Sequence, residues 1–267
     1  MGGGTESVEV DGRTIAFERR GQGPPLVLVH GAVADSRYWR RELGRLSDEF
    51  TVVAWDAPGC GRSFDPPDEY GLDGYADCLA AFIETLGLER PHVLGLSFGS
   101  GVALELFRRH RVVPRSLVLT SAYAGWLGSL GREVAEERRR WGLSAADQPR
   151  EEYVREFNET LFVSSVPADV VDAMAEIVTE LHPAGLRAMS NAFADADLRD
   201  VLPEIDVPTL LIYGDLDRRS PLPVGEELHA RIPSSQLVVI PGVGHALNLE
   251  APERFADEVR GFLRPAG

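Results

Sequence analysis

The chain has 267 residues and a formal net charge of −15, from 27 basic and 42 acidic residues. This acidic balance opposes binding to nucleic acid or to an anionic membrane, because like charges repel, and no run approaches the roughly 20 apolar residues of a membrane span. With only two cysteines, Cys60 and Cys78, no cluster of metal-ligand residues and no signal-peptide pattern, the sequence predicts a cytoplasmic globular protein that uses neither a metal nor another cofactor.

The chain begins with elements that alternate in type. The run SVEVDGRTIAFERRG predicts a β-hairpin, because Asp11-Gly12 separates two stretches of strand-forming residues. The unbroken apolar strand PPLVLV follows. An amphipathic helix is then predicted over 35–49, with Asp35 or Ser36 as its N-cap.

The same alternation continues to the end of the chain. FTVVAWD, HVLGLS, SLVLTSA, TLLIYGD and QLVVIPG are predicted strands, and helices are predicted over 72–88, from Phe98 onward, and in PVGEELHARI and APERFADEVRGFL. These strands lack polar alternation, so both faces of their sheet are covered. The sequence therefore predicts an α/β fold with a mostly parallel, twisted sheet of eight strands and helices on both faces.

One long segment breaks the alternation. Residues 123–208 contain helical patterns such as REVAEERRRWGL and VVDAMAEIVTELH but no convincing strand. We predict a core formed by 1–122 and 197–267, and a helical cap, 123–196, inserted after the sixth strand. Most of the cap's large apolar side chains are expected to pack with one another and a few to face a pocket: Trp126, Trp141, Tyr153, Phe157, Phe162, Met174 and Phe193.

The stretch GLSFG, residues 95–99, contains a candidate nucleophile. It follows a buried strand directly and opens a helix, which is the context in which a strained turn exposes a serine. Gly95 and Gly99 belong there because so tight a turn leaves no room for Cβ atoms. The helix start also places backbone N–H groups beside the hydroxyl of Ser97. The sequence therefore predicts Ser97 as a nucleophile.

A serine hydroxyl needs a base, and a histidine base needs an acid. His245 lies in a glycine-rich loop after the last strand, at the same edge of the sheet, and is the predicted base; His30 is expected to support a turn. Asp217, 28 residues before that base, is the predicted acid. Asp215 is expected to cap its own turn, and Asp56 to brace another through hydrogen bonds to the backbone.

The developing oxyanion requires two preorganised donors. The backbone N–H of Phe98 follows the nucleophile, and the second is expected from the loop after VLVHG, at Ala32. Three further positions are predicted to line the substrate pocket: Val33, Trp126 and position 246, which is occupied by Ala246.

With these residues placed, the chain resembles the α/β-hydrolase superfamily over nearly its full length, in particular its small capped esterases, carbon–carbon bond hydrolases and cofactor-free haloperoxidases. The resemblance rests on HGAVADSRYW, DAPGCGRS, GLSFGS and VPTLLIYGDLD and on the chain order Ser97, Asp217, His245. It implies the same catalytic triad, with Ala32 and Phe98 as oxyanion donors. Leu96 and Ser100 depart from the family, since many relatives have His and Gly there.

The resemblance implies a serine hydrolase that cleaves a small or medium apolar carboxylic ester or lactone through an acyl-enzyme. Haloalkane dehalogenases and epoxide hydrolases of this fold have aspartate at the nucleophile position, so Ser97 excludes them. Plant-type hydroxynitrile lyases use a lysine of the cap, and this chain has no lysine. A carbon–carbon bond hydrolase, a biosynthetic thioesterase and a slow-turnover, receptor-like binding protein remain alternatives. An interaction protein with an acidic surface is a weaker one. The oligomeric state stays open.

Overall fold

The computed structural model of the protein describes residues 4–264. Eight strands form one sheet: β1 (Glu6–Val10), β2 (Arg13–Arg20), β3 (Pro25–Val29), β4 (Thr51–Trp55), β5 (His92–Leu96), β6 (Ser116–Thr120), β7 (Thr209–Gly214) and β8 (Ser235–Ile240). Their order across the sheet is β1-β2-β4-β3-β5-β6-β7-β8. The pairs β1–β2 and β2–β4 are antiparallel and the other neighbouring pairs are parallel. The predicted mostly parallel sheet is confirmed.

Helices connect the strands. They are α1 (Arg40–Leu46), α2 (Leu72–Thr85), α3 (Phe98–Arg109), α4 (Gly125–Leu130), α5 (Arg132–Asp147), α6 (Arg150–Leu161), α7 (Ala168–Thr179), α8 (Pro183–Asp195), α9 (Leu222–Arg231), α10 (Leu247–Glu250) and α11 (Pro252–Leu263). Among the described residues, no helix is long and apolar enough to span a bilayer.

The central strand β3 divides its apolar side chains between two cores, one on each face of the sheet. Val27 and Val29 pack in the core that contains α2 and α3, whereas Leu26 and Leu28 pack in the core that contains α1 and α11. This division follows from the two-residue repeat of a strand. It explains why the buried strands read as unbroken apolar runs.

The predicted hairpin is confirmed, and its turn shows why the sequence is Asp-Gly. Asp11 and Gly12 have φ values of 49° and 73°. Both values lie in the left-handed region that a type I′ turn requires. Val10 and Arg13 pair directly across this turn.

Two predicted helix boundaries were wrong. The segment 35–49 is divided into a single 3₁₀ turn, Ser36–Trp39, and the short α1; Asp35 caps the turn by accepting from the Arg37 N–H at 2.9 Å. The helix predicted over 72–88 ends at Thr85. Gly87, with φ of 63°, reverses the chain just beyond it, as glycine commonly does after a helix.

The described part of 123–208 contains helices α4 to α8 and no strand. The helical insertion, as residues 123–196 are called below, joins the core through Phe193 of α8. The ring of Phe193 contacts that of Phe98, in the core, at a centroid distance of 5.4 Å, and those of Tyr123 and Trp126, within the insertion, at 5.7 and 5.3 Å. Helix α8 is thereby fixed above the start of α3, at the carboxyl edge of the sheet.

Candidate active site

Ser97 lies in the sharp turn between β5 and α3. Its φ of 53° and ψ of −111° are unusual for a residue with a side chain, and such strain costs about 1–3 kcal/mol. A Cβ at Gly95 would lie 2.3 Å from the Gly99 carbonyl oxygen, and one at Gly99 would lie 2.2 Å from that of Val29. The expectation that neither glycine has room for a side chain is confirmed.

The two departures from the family pattern, Leu96 and Ser100, flank this turn and have separate consequences. The Ser100 hydroxyl donates to the carbonyl oxygen of Ser97 at 2.5 Å and accepts from the Tyr123 N–H at 3.3 Å. It therefore ties the elbow to the loop after β6. Leu96 contributes an apolar side chain to the wall of the cavity described below.

Asp217 and His245 form a buried hydrogen-bonded pair on the loops that follow β7 and β8. His245 Nδ1 lies 2.9 Å from Oδ2 of Asp217 and 3.1 Å from Oδ1. Oδ1 also accepts from the backbone N–H groups of Arg219, at 2.8 Å, and Ser220, at 2.9 Å. Burial acts to raise the pKa of Asp217, but the adjacent imidazole and these hydrogen bonds hold it below its usual value. The carboxylate therefore stays ionised and orients the ring.

The polar residues expected to have supporting roles are held by backbone groups of nearby loops. His30 is fully buried, which lowers its pKa; Nδ1 donates to its neighbour's carbonyl at 2.7 Å and Nε2 accepts from the Ala57 N–H at 3.0 Å. Asp56 accepts from the Ser36 N–H at 2.6 Å. Asp215 accepts from the Gly242 N–H at 2.6 Å. The expectation that His30 and Asp56 brace turns is confirmed. Asp215, which was expected to cap its own turn, instead holds the loop after β8 through Gly242.

The two residues expected to donate to the oxyanion, Ala32 and Phe98, both lie near Ser97. Phe98 is the first residue of α3, so its N–H has no acceptor one turn earlier in the helix. The loop after β3 passes directly beside the serine: a Cβ at Gly31 would lie 3.7 Å from that of Ser97. Ala32, the next residue, borders the same cavity as the serine.

Ser97 and His245 both line a cavity of about 520 Å³. Val33 and Trp126, two of the three predicted pocket residues, line it as well. Position 246 was predicted wrongly: Ala246 is fully buried and packs in the core on the α1–α11 side of the sheet. Its neighbour His245 faces the cavity, and Ala246 turns away from it into that core.

Several cavity residues were not identified from the sequence. Of the apolar side chains named in the insertion, Trp141, Phe157 and Met174 also line the cavity, whereas Tyr153 and Phe193 are buried in the cores. The lining residues that the sequence did not indicate include Tyr38, Tyr123, Leu161, Leu186, Ser190, Arg138, Glu156, Arg218 and Arg219.

Arg138 had no sequence signal, because it lies in a charged run that reads as a solvated helix face. No group of three or more His, Cys, Asp or Glu side chains in the described chain is placed to hold a metal ion.

The family model for the alpha/beta hydrolase fold matches residues 24–252. The chain belongs to the α/β hydrolase fold family. This α/β hydrolase is 33% identical to the pimeloyl-[acyl-carrier protein] methyl ester esterase of Neisseria meningitidis, over 88% of this chain and 75% of that one. It superposes on a thermophilic esterase from Thermogutta terrifontis with a TM-score of 0.89, 30% identity and 98% coverage of both chains.

A second solved esterase, from Exiguobacterium antarcticum, matches this α/β hydrolase with a TM-score of 0.88 and 27% identity, over 98% of this chain and 99% of that one. These three proteins are all esterases. The predicted membership and the assignment as an α/β-hydrolase-fold enzyme are therefore confirmed, at the level of a hydrolase of the esterase type.

Proposed function

We propose that the protein is a serine hydrolase that cleaves small or medium carboxylic esters, including lactones, through an acyl-enzyme. The observation that carries this proposal is that Ser97 and His245 line the same cavity. The serine is strained, and the histidine is paired with a buried aspartate. A strained serine beside a carboxylate-oriented imidazole is the arrangement that activates an otherwise weak nucleophile.

The proton path follows from the hydrogen bonds of His245. Its Nδ1 is occupied by Asp217, so Nε2 is the atom that takes the proton from Ser97 as Oγ attacks the ester carbonyl carbon. The bond from carbon to the alkoxy oxygen then breaks, and the alcohol leaves with that proton. Water gives a proton to Nε2 while its oxygen attacks the acyl-enzyme, and the acid is released as Oγ recovers its proton.

The negative charge on the carbonyl oxygen in each tetrahedral intermediate is assigned to the N–H groups of Ala32 and Phe98. Both are backbone donors on rigid turns, so they need no reorganisation when the charge appears. The side chain of Phe98 is buried against Tyr75 and Phe193, with centroid distances of 5.1 and 5.4 Å. These ring contacts fix the position of the N–H that follows the nucleophile.

The cavity supports a substrate of limited size. A volume of about 520 Å³ with walls that include Val33, Leu96 and Met174 suits a short acyl chain. We assign the helical insertion as the cap that closes this cavity, since Trp126, Phe157 and Met174 all come from it. The methyl ester esterase among the relatives favours a small alcohol as the leaving group.

The proposal is tested with Ser97→Ala and a matched control, Ser144→Ala, which removes an exposed hydroxyl from α5. Turnover of p-nitrophenyl butyrate is expected to fall about 10³-fold or more in Ser97→Ala and to stay at the wild-type rate in the control. A fluorophosphonate is expected to label Ser97, as located by peptide mass spectrometry. Full activity in Ser97→Ala would disprove the proposal.

A substrate panel separates the alternative functions. Steady turnover of esters or lactones supports the proposal, whereas a preference for thioesters or β-diketone acids indicates the thioesterase or the carbon–carbon hydrolase. A receptor-like protein would be labelled at Ser97 and would release at most about one product per molecule. Each outcome is read from initial rates on esters of graded acyl length, lactones and thioesters.

A further inference from the structure

Positively charged side chains line one part of the cavity. Arg138 comes from α5, and Arg218 and Arg219 come from the loop that contains Asp217; Glu156 of α6 also lines the cavity. The chain as a whole has a net charge of −15. A local excess of arginine at the cavity of so acidic a protein points to an anionic group on the ligand.

Arg138 is held rigidly by neutral acceptors. Nη1 donates to the Tyr123 hydroxyl at 2.9 Å and Nη2 to the carbonyl oxygen of Arg219 at 2.8 Å. Its guanidinium carbon lies 5.5 Å from the ring centroid of Tyr123 and 5.6 Å from that of Trp126. The Tyr123 hydroxyl donates to the same Arg219 carbonyl. The guanidinium is therefore fixed in position before any ligand binds.

Arg138 and its neighbour Arg139 differ in their charged partners. Arg139 pairs with Glu136 at 3.3 Å and with Asp195, whereas no carboxylate of the described side chains pairs with Arg138. A guanidinium has five N–H donors, and the two hydrogen bonds above use two of them. The remaining donors can bind a carboxylate in the two-pronged geometry that arginine favours.

Resting on the function proposed above, we infer that the substrate is an ester or lactone whose acyl chain carries a second, free carboxylate, and that Arg138 binds this carboxylate. The apolar walls hold the connecting chain, and Ser97 attacks the carbonyl at its other end. Arg138 thereby acts as a specificity residue that selects half-esters of dicarboxylic acids over neutral esters of the same length.

The inference is tested with monomethyl adipate and dimethyl adipate, which share a chain and differ in one charge. The wild type is expected to show the higher kcat/KM for the monoester, and Arg138→Gln is expected to reduce this preference about 10–100-fold, as loss of a charged hydrogen bond does. Arg140→Gln is the control, since Arg140 is exposed on the same helix, and it should keep the wild-type preference. Monomethyl esters of dicarboxylic acids with four to eight carbons are compared to find the preferred chain length.

Arg138→Lys is a second variant, needed in case Arg138→Gln does not fold. Circular dichroism checks that both variants are folded. Lysine keeps the charge but not the fork, so its preference should lie between those of the wild type and Arg138→Gln. A wild-type preference for the diester, or a preference that Arg138→Gln leaves unchanged, overturns the inference while leaving ester hydrolysis intact.

Should the wild type cleave neither ester, the proposed function fails, and calorimetric binding of adipate itself then decides the inference. Binding that is about 10–100-fold weaker in Arg138→Gln supports it, and equal binding in the two proteins overturns it.

Discussion

The sheet edge and the helical insertion contribute to the same cavity in different ways. At the sheet edge, Asp217 accepts hydrogen bonds from two backbone N–H groups, and the turn at Ser97 lies between glycines at which a Cβ would clash with backbone atoms. In the insertion, the lining consists of side chains such as Phe157 and Met174, which contact other side chains. The difference separates chemistry from selectivity: substitutions at the edge should abolish the reaction, and substitutions in the insertion should change which ester reacts.

The largest effect is expected from the proposed catalytic acid, Asp217. Asp217→Asn removes the charge that orients and stabilises the imidazolium, so kcat should fall about 10³–10⁴-fold with little change in melting temperature. Asp215→Asn is the matched control, because an amide oxygen can still accept from the Gly242 N–H, and it should retain the wild-type kcat. Equal losses in the two variants would contradict the assignment of Asp217 as the acid.

Gly99→Ala is expected to destabilise the protein rather than alter its selectivity. The new Cβ would lie 2.2 Å from the Val29 carbonyl oxygen and 2.6 Å from that of His30, and backbone atoms in the sheet cannot move aside. We expect a loss of about 3 kcal/mol or more in the free energy of unfolding, measured by urea titration. Gly44→Ala, on α1 with open space around the added methyl, should not destabilise. A stable Gly99→Ala protein would show that the elbow tolerates a side chain.

A pH-dependent stability is expected from Glu42 of α1, which is fully buried near Asn248. The side-chain oxygen of Asn248 accepts a hydrogen bond from the Tyr38 hydroxyl at 2.7 Å. Burial raises the pKa of this carboxyl to about 8. Below about pH 4.5 the carboxyl is protonated in both the folded and the unfolded protein. Above that pH the unfolded chain releases the proton first, so the free energy of unfolding should fall by about 1.4 kcal/mol per pH unit up to about pH 8.

The substitution Glu42→Gln mimics the protonated carboxyl and should remove this slope, raising the free energy of unfolding by about 3 kcal/mol at pH 7. Urea titrations between pH 5 and pH 8 measure it. The exposed Glu137→Gln on α5 should keep the wild-type slope. An unchanged slope in Glu42→Gln would mean that the buried carboxyl is already ionised at neutral pH.

The smallest effect is expected in the insertion. Met174→Ala enlarges the cavity next to the acyl chain, so the ratio of kcat/KM for a longer ester to that for a shorter one should rise about fourfold per added methylene. Val112→Ala, at an exposed position outside the cavity, should leave that ratio as it is. A Met174→Ala protein that loses activity equally on all chain lengths would show that the insertion supports the chemistry as well.

The sheet edge could be predicted from the sequence because its signals are local. The glycines at 95 and 99, and the acid and base one helix and one strand apart, follow from turn geometry and parallel topology. The cavity wall could not be predicted, because it depends on how helices pack. Arg138 faces the cavity where α5 lies close against α8: a Cβ at Gly142 would be 2.1 Å from Ser190 Oγ. A run of charged residues does not indicate which of its members this helix contact directs toward the cavity.

Arg219 connects the two regions through its own peptide groups. Its N–H donates to Asp217, the proposed catalytic acid, and its carbonyl oxygen accepts from Arg138. Arg138 and Asp217 are therefore hydrogen-bonded to opposite peptide groups of one residue. Leu161, Met174 and Leu186 line the cavity with apolar side chains, which cannot form a hydrogen bond to the loop of Asp217, so substitutions there should alter the wall without changing that loop. The hydrogen bonding of one residue thus restricts which parts of the wall can evolve independently of catalysis.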